Sequence, residues 1–471
     1  MKQTSILHAW RPILKETVRK LSSSYDYISI LASDTSGKAF QIRSRTSELR
    51  DFMCERGIVC RAIRNGAVVE VSMNDVPQTA DELSEKLSEN LDRQFEWLTV
   101  HHVDYLDAKL EDQAHQGDFI VEAENAFDSI PQTEKLARLK ALVAEIAQSD
   151  PRILNAVAVL AQVTVRKLFV SPQKDMYQSY PWSQGYLMAV AKGERGVKMA
   201  FTSVSGQKGI EILDELETKK DTIVAQVDDI LCAQPIEPGE YDVVCTPEIT
   251  GLIAHEAFGH GVEMDMFVKR RALAMSYIDK PVASAKITMH EGALGPKNVS
   301  SFAFDDEGTL ASDTIVIDKG ILRTGIADAL SASRLGINPT GNGKRESFER
   351  KAYTRMTNTY FEAGEDTVED MISTIKKGYL LDGMESGMED PKNWGIQCVL
   401  SRAYEIIDGK KTGKVFGPVI LTGHVVDLLK SIDATGSDFA MFGAGFCGKG
   451  HKEYVKTADG GASIRAKARL G

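Results

Sequence analysis

Residues 241–260 read YDVVCTPEITGLIAHEAFGH and place a short apolar strand directly before a helix that carries two histidines and a glutamate. The run from Tyr241 to Cys245 is typical of a strand. Thr246 then offers a helix N-cap, Pro247 suits the first helical position, and Glu248 favours the positive end of the helix dipole. The segment therefore predicts a strand followed at once by a helix.

Polar residues continue the buried face of this helix. Its apolar side follows the i, i+3, i+4 pattern, with Ile249, Leu252 and Ile253. By angle, Glu256 and His260 continue the same face, and His255 lies on its flank. Burying such groups is costly unless partners or a metal satisfy them. Either imidazole nitrogens bind a zinc-like ion whose water is activated by the glutamate, or the polar residues only line a groove.

The spacing of the two histidines predicts a distorted helix. They are five residues apart, one more than in the metal-binding motif H-E-x-x-H. In a regular α-helix the second imidazole would point roughly 140° away from the first. One ion can bind both only if the helix widens, as in a π-bulge, or breaks near Gly259, since glycine resists distortion least. We therefore predict an irregularity between Glu256 and His260.

A third metal ligand must come from elsewhere in the chain. No C-x-x-C pair occurs among the six cysteines, which excludes a four-cysteine zinc site. Cys447 lies in the glycine-rich segment 443–450, GAGFCGKG, where the backbone can approach another element closely. A thiolate there would bind a borderline-soft ion well. The alternative is that Cys447 is a small buried apolar residue, the usual state of a free cysteine.

Together with GVEMD at 261–265, the motif from His255 to His260 resembles the signature of the TldD/PmbA metalloprotease family, which is also described as modulators of DNA gyrase. Further stretches resemble the family in the same order: SFAFDDEGT at 301–309, PTGNGKRES at 339–347, RMTNTY at 355–360 and CGKG at 447–450. The resemblance covers about residues 238 to 450, whereas the first half matches only in length and general pattern.

The resemblance implies a zinc-dependent metallopeptidase of the TldD type. In such subunits His255, His260 and Cys447 would hold Zn²⁺, and Glu256 would take the proton from the attacking water. Family members cleave peptides and unfolded segments with loose sequence preference, whereas PmbA-type subunits lack the motif. The resemblance also implies a dimer, either a homodimer or a heterodimer with a PmbA-type chain.

Some positions near these motifs allow two interpretations or depart from the family's usual residues. Glu263 and Asp265 either orient the imidazoles or simply end the helix. Where the family usually has Gly-Gln after the cysteine segment, this chain has Gly450-His451, and the Ser203–Gly209 region lacks an arginine that is frequent there. Both departures bear on substrate preference more than on catalysis.

Two other functions stay open. One is a non-catalytic peptide-binding subunit, against which the presence of the complete motif argues. The other is a zinc-dependent hydrolase of small amides, which a site closed to extended chains would favour. Exposed sheet edges in a cleft would favour a polypeptide substrate, because they can pair with a peptide strand.

Composition and charge narrow the class of protein. The chain has 471 residues, 43% hydrophobic and 26% charged, which is ordinary for a soluble globular protein of two or three domains. The net charge of −11 argues against a general nucleic-acid binder. No apolar run is long enough to cross a membrane, and the first ten residues lack the apolar core of a signal peptide. Six scattered cysteines fit a cytoplasmic protein.

The order of predicted elements indicates an α+β fold of two domains. We place an N-terminal mixed α/β domain at residues 1–232 and a C-terminal metalloprotease domain of antiparallel sheet, carrying the metal-binding helix, at 233–471. The boundary falls at the proline-rich stretch 234–240. Predicted helices are 13–22, 80–95, 134–148, 209–231, 327–335 and 367–377, the last with Gly378 as a C′ residue. Predicted hairpin turns are Lys319-Gly320 and Asp408-Gly409.

Overall fold

The first half of the chain is built on one eight-stranded sheet and five helices. The computed structural model describes residues 5–450 and 453–471. In chain order the elements are α1 (Ile6–Leu21), β1 (Tyr27–Arg43), β2 (Ser47–Asp51), β3 (Glu55–Arg64), β4 (Ala67–Met73), α2 (Ala80–Val100), β5 (His115–Ile120), α3 (Gln132–Ser149), β6 (Ile153–Val170), β7 (Lys174–Gly193), β8 (Gly196–Gly206), α4 (Glu211–Glu217) and α5 (Lys220–Cys232). The strand order is β4-β3-β1-β6-β7-β5, with β2 beside β1 and β8 beside β7.

Long strands allow this one sheet to support two apolar cores. Strands β1, β6 and β7 have 17, 18 and 20 residues, so each reaches from one core to the other. Helices α1 and α2 cover the first core, and α3, α4 and α5 cover the second. Every strand pair is antiparallel except β5 with β7.

The second half contains two larger sheets. Its elements are β9 (Gly239–Cys245), α6 (Pro247–Ile253), α7 (Met264–Val268), β10 (Met289–Glu291), β11 (Thr314–Asp318), β12 (Ile321–Leu322), α8 (Ala329–Leu335), β13 (Gly343–Lys344), β14 (Tyr353–Thr354), β15 (Asn358–Phe361), α9 (Val368–Ser373), β16 (Lys377–Asp390), β17 (Gly395–Ile407), β18 (Lys410–Phe416), β19 (Val419–His424), α10 (Val425–Ser431), β20 (Ala434–Thr435), β21 (Ala440–Phe442), β22 (Phe446–Lys449), β23 (Glu453–Lys456), β24 (Ala458–Gly461) and β25 (Ile464–Leu470).

Helix α6 lies between these two sheets. The seven-stranded sheet has the order β16-β9-β25-β19-β17-β18, and β16 also pairs with β17, so five strands form a closed ring. The six-stranded sheet has the order β12-β11-β10-β15-β24-β21, and α6 packs against β16 and β24. The predicted α+β class is confirmed. The sheets are mixed, however, because β9 runs parallel to β16 and β15 parallel to β24.

The largest cores of the two halves are separate, but three smaller apolar clusters and several ion pairs join the halves. The main core of the second half draws on residues 236–470, whereas the two cores of the first half draw on residues 7–230. This separation supports the division at 232/233, which stays a prediction. Arg61 of β3 pairs with Glu307, and Glu70 of β4 pairs with Arg345, so charges join the halves.

The predicted helix over 209–231 is wrong as a single element. It divides into α4 and α5 at Thr218 and Lys219. The Thr218 hydroxyl donates to the carbonyl of Glu215 (2.7 Å). In a regular helix the Lys219 N–H would donate to that carbonyl, but here it donates to the carbonyl of Leu216 (3.1 Å). A side-chain hydrogen bond thus replaces one backbone bond, which interrupts the helix.

Among the other helix boundaries that differ from the prediction, two have a clear local cause. Helix α1 begins at Ile6 because Ser5 caps it, accepting from the Leu7 N–H at 3.3 Å. Helix α9 ends at Ser373, and Gly378 is not a C′ residue but lies in β16. A Cβ at residue 378 would lie 2.0 Å from the carbonyl oxygen of Asp242, so glycine allows the close approach of β16 to β9.

Both predicted hairpin turns are confirmed. Lys319 (φ 46°) and Gly320 (φ 86°) connect β11 to β12, and Asp408 (φ 47°) and Gly409 (φ 76°) connect β17 to β18. Two consecutive positive φ values match the right-handed twist of a hairpin.

A histidine between two carboxylates makes the stability of the six-stranded sheet depend on pH. Nδ1 of His290 lies 3.1 Å from Asp313 and Nε2 lies 2.9 Å from Glu362, and the ring stacks on Tyr360. Burial by itself would lower the pKa of His290, but hydrogen bonds and charges of the two carboxylates raise it. The stabilisation is therefore complete below the unfolded pKa, about 6.5, and is lost as pH rises through the higher folded pKa.

We expect His290→Gln to lower the free energy of unfolding more at pH 6 than at pH 9. Urea unfolding of both proteins at the two pH values checks this. His101→Gln, at the exposed end of α2, is the control and should show no such difference. An equal loss at both pH values would contradict a protonated His290.

Candidate metal centre

The helix that carries the two histidines changes its form where the sequence predicts. Helix α6 ends at Ile253, residues Ala254–Gly259 form one π-helical turn, and His260–Val262 form a 3₁₀ turn. The wider turn brings residues five apart to one side. The ring centroids of His255 and His260 lie 5.2 Å apart with their planes at 89°. The predicted irregularity is confirmed.

Glycine is needed at position 259 for a different reason from the one predicted. Its backbone has ordinary helical angles (φ −60°, ψ −52°), so the distortion does not require glycine there. A Cβ at residue 259 would lie 2.2 Å from Sδ of the buried Met356. Gly259 therefore allows the histidine segment to pack closely on residue 356.

The start of the helix is also only partly as predicted. Thr246 occupies the N-cap position and Pro247 the first helical position. The Thr246 hydroxyl does not cap the helix but donates to Oδ1 of Asp382 at 3.2 Å. The side chain therefore connects α6 to β16, while the first helical turn lacks a side-chain cap.

Cys447 meets the histidines across 187 residues of chain. It lies in β22, opposite Val455 of β23, and is buried. Its Sγ lies 3.4 Å from Nε2 of His260. One ligand atom from each of His255, His260 and Cys447 can be chosen so that all three lie within 4.8 Å of one another.

This donor set fits a zinc ion. In tetrahedral zinc sites a sulfur at roughly 2.3 Å and a nitrogen at roughly 2.1 Å from the metal are about 3.6 Å apart. The observed separation of 3.4 Å for Cys447 and His260 is close to this value. Three protein ligands would leave a fourth position for water, as in catalytic zinc sites. We therefore assign these three residues as the candidate metal ligands.

Electrostatics favour the ionised thiol. Burial by itself raises the pKa of Cys447, but the charges and hydrogen bonds of His255 and His260 lower it to about 4. Burial lowers the pKa of His255, yet the thiolate raises it to about 9. In the absence of a metal, the thiolate and each imidazole therefore favour each other's charged form, whereas the charge of His260 opposes that of His255.

Glu256 lies beside the same ligand atoms. Its Oε2 is 3.9 Å from Nε2 of His260, the nitrogen that faces Cys447. A Cβ at Gly387 would lie 2.5 Å from Cγ of Glu256, so β16 passes directly along this side chain. The carboxylate is 15% exposed, which leaves it access to a water at the centre.

Glu263 and Asp265 have different contacts. Oε2 of Glu263 lies 3.3 Å from Nδ1 of His260, so this carboxylate does orient an imidazole. Asp265 instead accepts hydrogen bonds from Lys269 (3.2 Å) and Lys449 (2.7 Å). Its link to the metal centre is therefore indirect.

Sequence reasoning missed other charged groups around the centre. Oδ2 of Asp459 lies 3.9 Å from Nδ1 of His255. Burial raises the pKa of Asp459 to about 6, although the charge of the His255 imidazole lowers it. Glu389 accepts a hydrogen bond from the Gly261 N–H at 2.8 Å, and burial raises its pKa well above the usual range. Neither residue lies in a recognisable motif, so only the fold brings them here.

A cleft of about 740 Å³ lies beside this centre. Asp459 is one of its lining residues and connects it to His255, whereas the three candidate ligands and Glu256 are not in its lining. The edge strand β8 contributes Val197, Met199 and Phe201 to one wall, and Met384 lies in another part of the lining. Among the described residues no helix is long and apolar enough to cross a membrane. His451, noted above, lies outside the described residues.

Comparison with known proteins agrees with this arrangement. Residues 238–466 match the family model described as the PmbA/TldA metallopeptidase C-terminal domain. A metalloprotease of Methanothermobacter thermautotrophicus is 31% identical over 284 residues, which are 60% of this chain and 62% of that protein. A zinc metalloprotease TldD homolog of Saccharolobus solfataricus is 28% identical over 230 residues, 49% of this chain and 51% of that protein.

The whole chain also shares its fold with a solved structure. TldE from Thermococcus kodakarensis superposes with a TM-score of 0.74 at 16% identity, covering 97% of this chain and 99% of that one. The sequence matches span only about half to three fifths of the relatives' lengths, whereas the fold match is complete. Residues 238–466, which contain the candidate metal ligands His255, His260 and Cys447, are therefore similar to the C-terminal domain of the PmbA/TldA metallopeptidases.

Proposed function

We propose that the protein is a zinc-dependent metallopeptidase that cleaves peptides or unfolded polypeptide segments. The observation that carries the proposal is the convergence of His255, His260 and Cys447 beside Glu256. Relatives named metalloprotease, one of them a zinc metalloprotease, support the same reaction class.

In the proposed reaction, three residues bind the metal and Glu256 transfers the proton. A zinc ion held by His255, His260 and Cys447 would supply a Lewis acid that lowers the pKa of water and polarises a carbonyl. Glu256 accepts the proton of the water as its oxygen bonds to the peptide carbonyl carbon. As the C–N bond breaks, Glu256 passes that proton to the departing amine nitrogen, so the carboxylate returns to its starting state.

The cleft supports an extended peptide as the substrate. Strand β8 pairs only with β7 among the described strands, so its other edge, along the cleft, has no strand partner. Added peptide strands use such edges for main-chain hydrogen bonds. Val197 and Met199 are 57% and 49% exposed and offer apolar contacts to substrate side chains. This arrangement disfavours the alternative of a hydrolase for small amides.

The partner and location are further parts of the proposal. We infer that the protein forms a dimer, either with itself or with a PmbA-type chain, and the shared fold with TldE supports the second case. Six free cysteines fit a reducing compartment, so we place the protein in the cytoplasm. The negative net charge of −11 argues against a nucleic-acid partner.

Removal of the metal tests the proposed reaction. We expect the purified protein to cleave an unstructured fluorogenic peptide, to lose at least about 100-fold in rate after zinc is stripped, and to recover with one equivalent of Zn²⁺. The same assay on a small acyl-amino acid amide should give no turnover. Unchanged peptide cleavage by protein shown to be metal-free would contradict the proposal.

A further inference from the structure

The hairpin that carries Cys447 needs side chains to hold it in place. Strands β22 and β23 pair only with each other among the strands that the structure describes. A two-stranded hairpin alone is marginally stable at best in water. The position of the Cys447 sulfur therefore depends on what fixes the hairpin against the histidine segment.

One buried arginine holds the hairpin backbone. Nη2 of Arg355 donates to the carbonyl of Cys447 at 2.6 Å, and Nη1 donates to the carbonyl of Glu453 at 3.2 Å. The guanidinium thus contacts both strands of the hairpin, and the side chain is 1% exposed. Arg355 fixes the hairpin to the segment before β15 but does not itself reach a histidine.

Lys449 makes the direct connection to the histidine segment. It lies two residues after Cys447 and donates to Oε2 of Glu263 (2.9 Å), Oδ1 of Asp265 (2.7 Å) and the carbonyl of Thr354 (3.0 Å). All three donors of its ammonium group are therefore used. Both carboxylates are buried, with 2% and 7% of their residues' surface exposed.

The same carboxylate oxygen contacts the metal-ligand histidine. Oε2 of Glu263 accepts from Lys449 and lies 3.3 Å from Nδ1 of His260. Its other oxygen, Oε1, faces Nε of Arg355 at 3.9 Å, and neither atom has a hydrogen-bond partner among the described residues. Glu263 is thus the point at which contacts from the hairpin and from His260 meet.

We propose that Lys449 is a positioning residue that docks the cysteine hairpin onto the histidine segment and thereby sets the affinity of the centre for zinc. This inference rests on the proposed metal centre and is independent of peptide-bond cleavage. Without the ammonium group, two buried carboxylates lose their shared counter-charge, which is costly in a low-dielectric interior. Separation of Glu263 from the hairpin relieves that cost and moves Cys447 away from His260.

The test measures zinc binding by the full-length protein. Zinc affinity is determined by competition with a chromophoric chelator for the wild type, Lys449→Met and Lys269→Met. Lys269 is the matched control because it pairs with Asp265 from the other side, at 3.2 Å, and is 47% exposed. Loss of a residue that supports metal ligands typically costs 10- to 100-fold in affinity, so we expect about that loss for Lys449→Met and no change for Lys269→Met.

Thermal unfolding separates positioning from general stability. If Lys449 positions the ligand, the rise in Tm on adding Zn²⁺ is smaller in Lys449→Met than in the wild type. If Lys449 only stabilises the fold, the substitution lowers the Tm of the metal-free protein and the Tm of the zinc-loaded protein by the same amount. Should Lys449→Met fail to fold, Lys449→Gln keeps a polar group without the charge and should show the same loss of affinity, whereas Lys449→Arg should retain more of it.

The outcomes distinguish the inference from the proposed function. Wild-type zinc affinity in Lys449→Met or Lys449→Gln overturns the role of Lys449 and leaves the metal centre intact. An equal loss of zinc affinity in Lys269→Met also overturns the role of Lys449, because the loss of any positive charge near Asp265 would then explain the result. Failure of the wild type to bind zinc at all would contradict the metal centre itself.

Discussion

Replacement of Glu256 by glutamine is expected to lower kcat by about 100- to 10,000-fold, the usual contribution of a general base, while the protein keeps its zinc. Glutamine has the same shape and preserves the packing of residue 256 along Gly387. It cannot accept the proton of water, so the attack on the peptide carbonyl slows. The measurement is the steady-state cleavage of an unstructured peptide together with the zinc content of the same sample.

Glu385→Gln is the matched control for this experiment. Glu385 lies on the cleft wall close in sequence to Gly387, is exposed, and makes no ion pair with either imidazole among the described residues. We expect its kcat to stay near that of the wild type. Wild-type turnover by Glu256→Gln would remove Glu256 from the proposed mechanism, and loss of zinc in the variant would assign it to metal binding instead.

Replacement of Cys447 by serine is expected to lower zinc affinity by more than the 10- to 100-fold typical of residues that only support ligands. Serine is nearly isosteric, but its hydroxyl is not ionised near neutral pH and binds zinc poorly compared with a thiolate. The rise in Tm caused by Zn²⁺ should disappear, because that stabilisation grows with the ratio of ligand concentration to Kd.

Cys54→Ser controls for the general loss of a thiol. Cys54 is exposed, lies in the first half of the chain and is not one of the three candidate ligands. Elemental analysis and thermal unfolding of both variants should show zinc loss only in Cys447→Ser. Stoichiometric zinc of wild-type affinity in Cys447→Ser would eliminate the sulfur as a ligand.

Local patterns predicted much of the fold because they encode local physics. The π-helical turn follows from a five-residue spacing that a regular helix cannot bring to one metal. The turns at Lys319-Gly320 and Asp408-Gly409 follow from residues that accept positive φ. The break at Thr218 was not predictable in this way, since it depends on one hydroxyl competing for a carbonyl.

Contacts between distant segments limited the prediction of the site. His255, His260, Glu256 and Cys447 were identified as candidates, and the structure brings them together. Arg355 and Lys449 lie in segments that resemble the family, yet their hydrogen bonds join residues 92 and 186 positions apart. No local periodicity reports such contacts.

Zinc K-edge X-ray absorption on the purified full-length protein tests the metal centre most directly. We expect one sulfur ligand at about 2.3 Å and two imidazole nitrogens at about 2.0–2.1 Å per zinc, with one further light-atom ligand. Zinc coordinated without sulfur, in protein that carries one equivalent of the metal, would contradict a centre built from His255, His260 and Cys447.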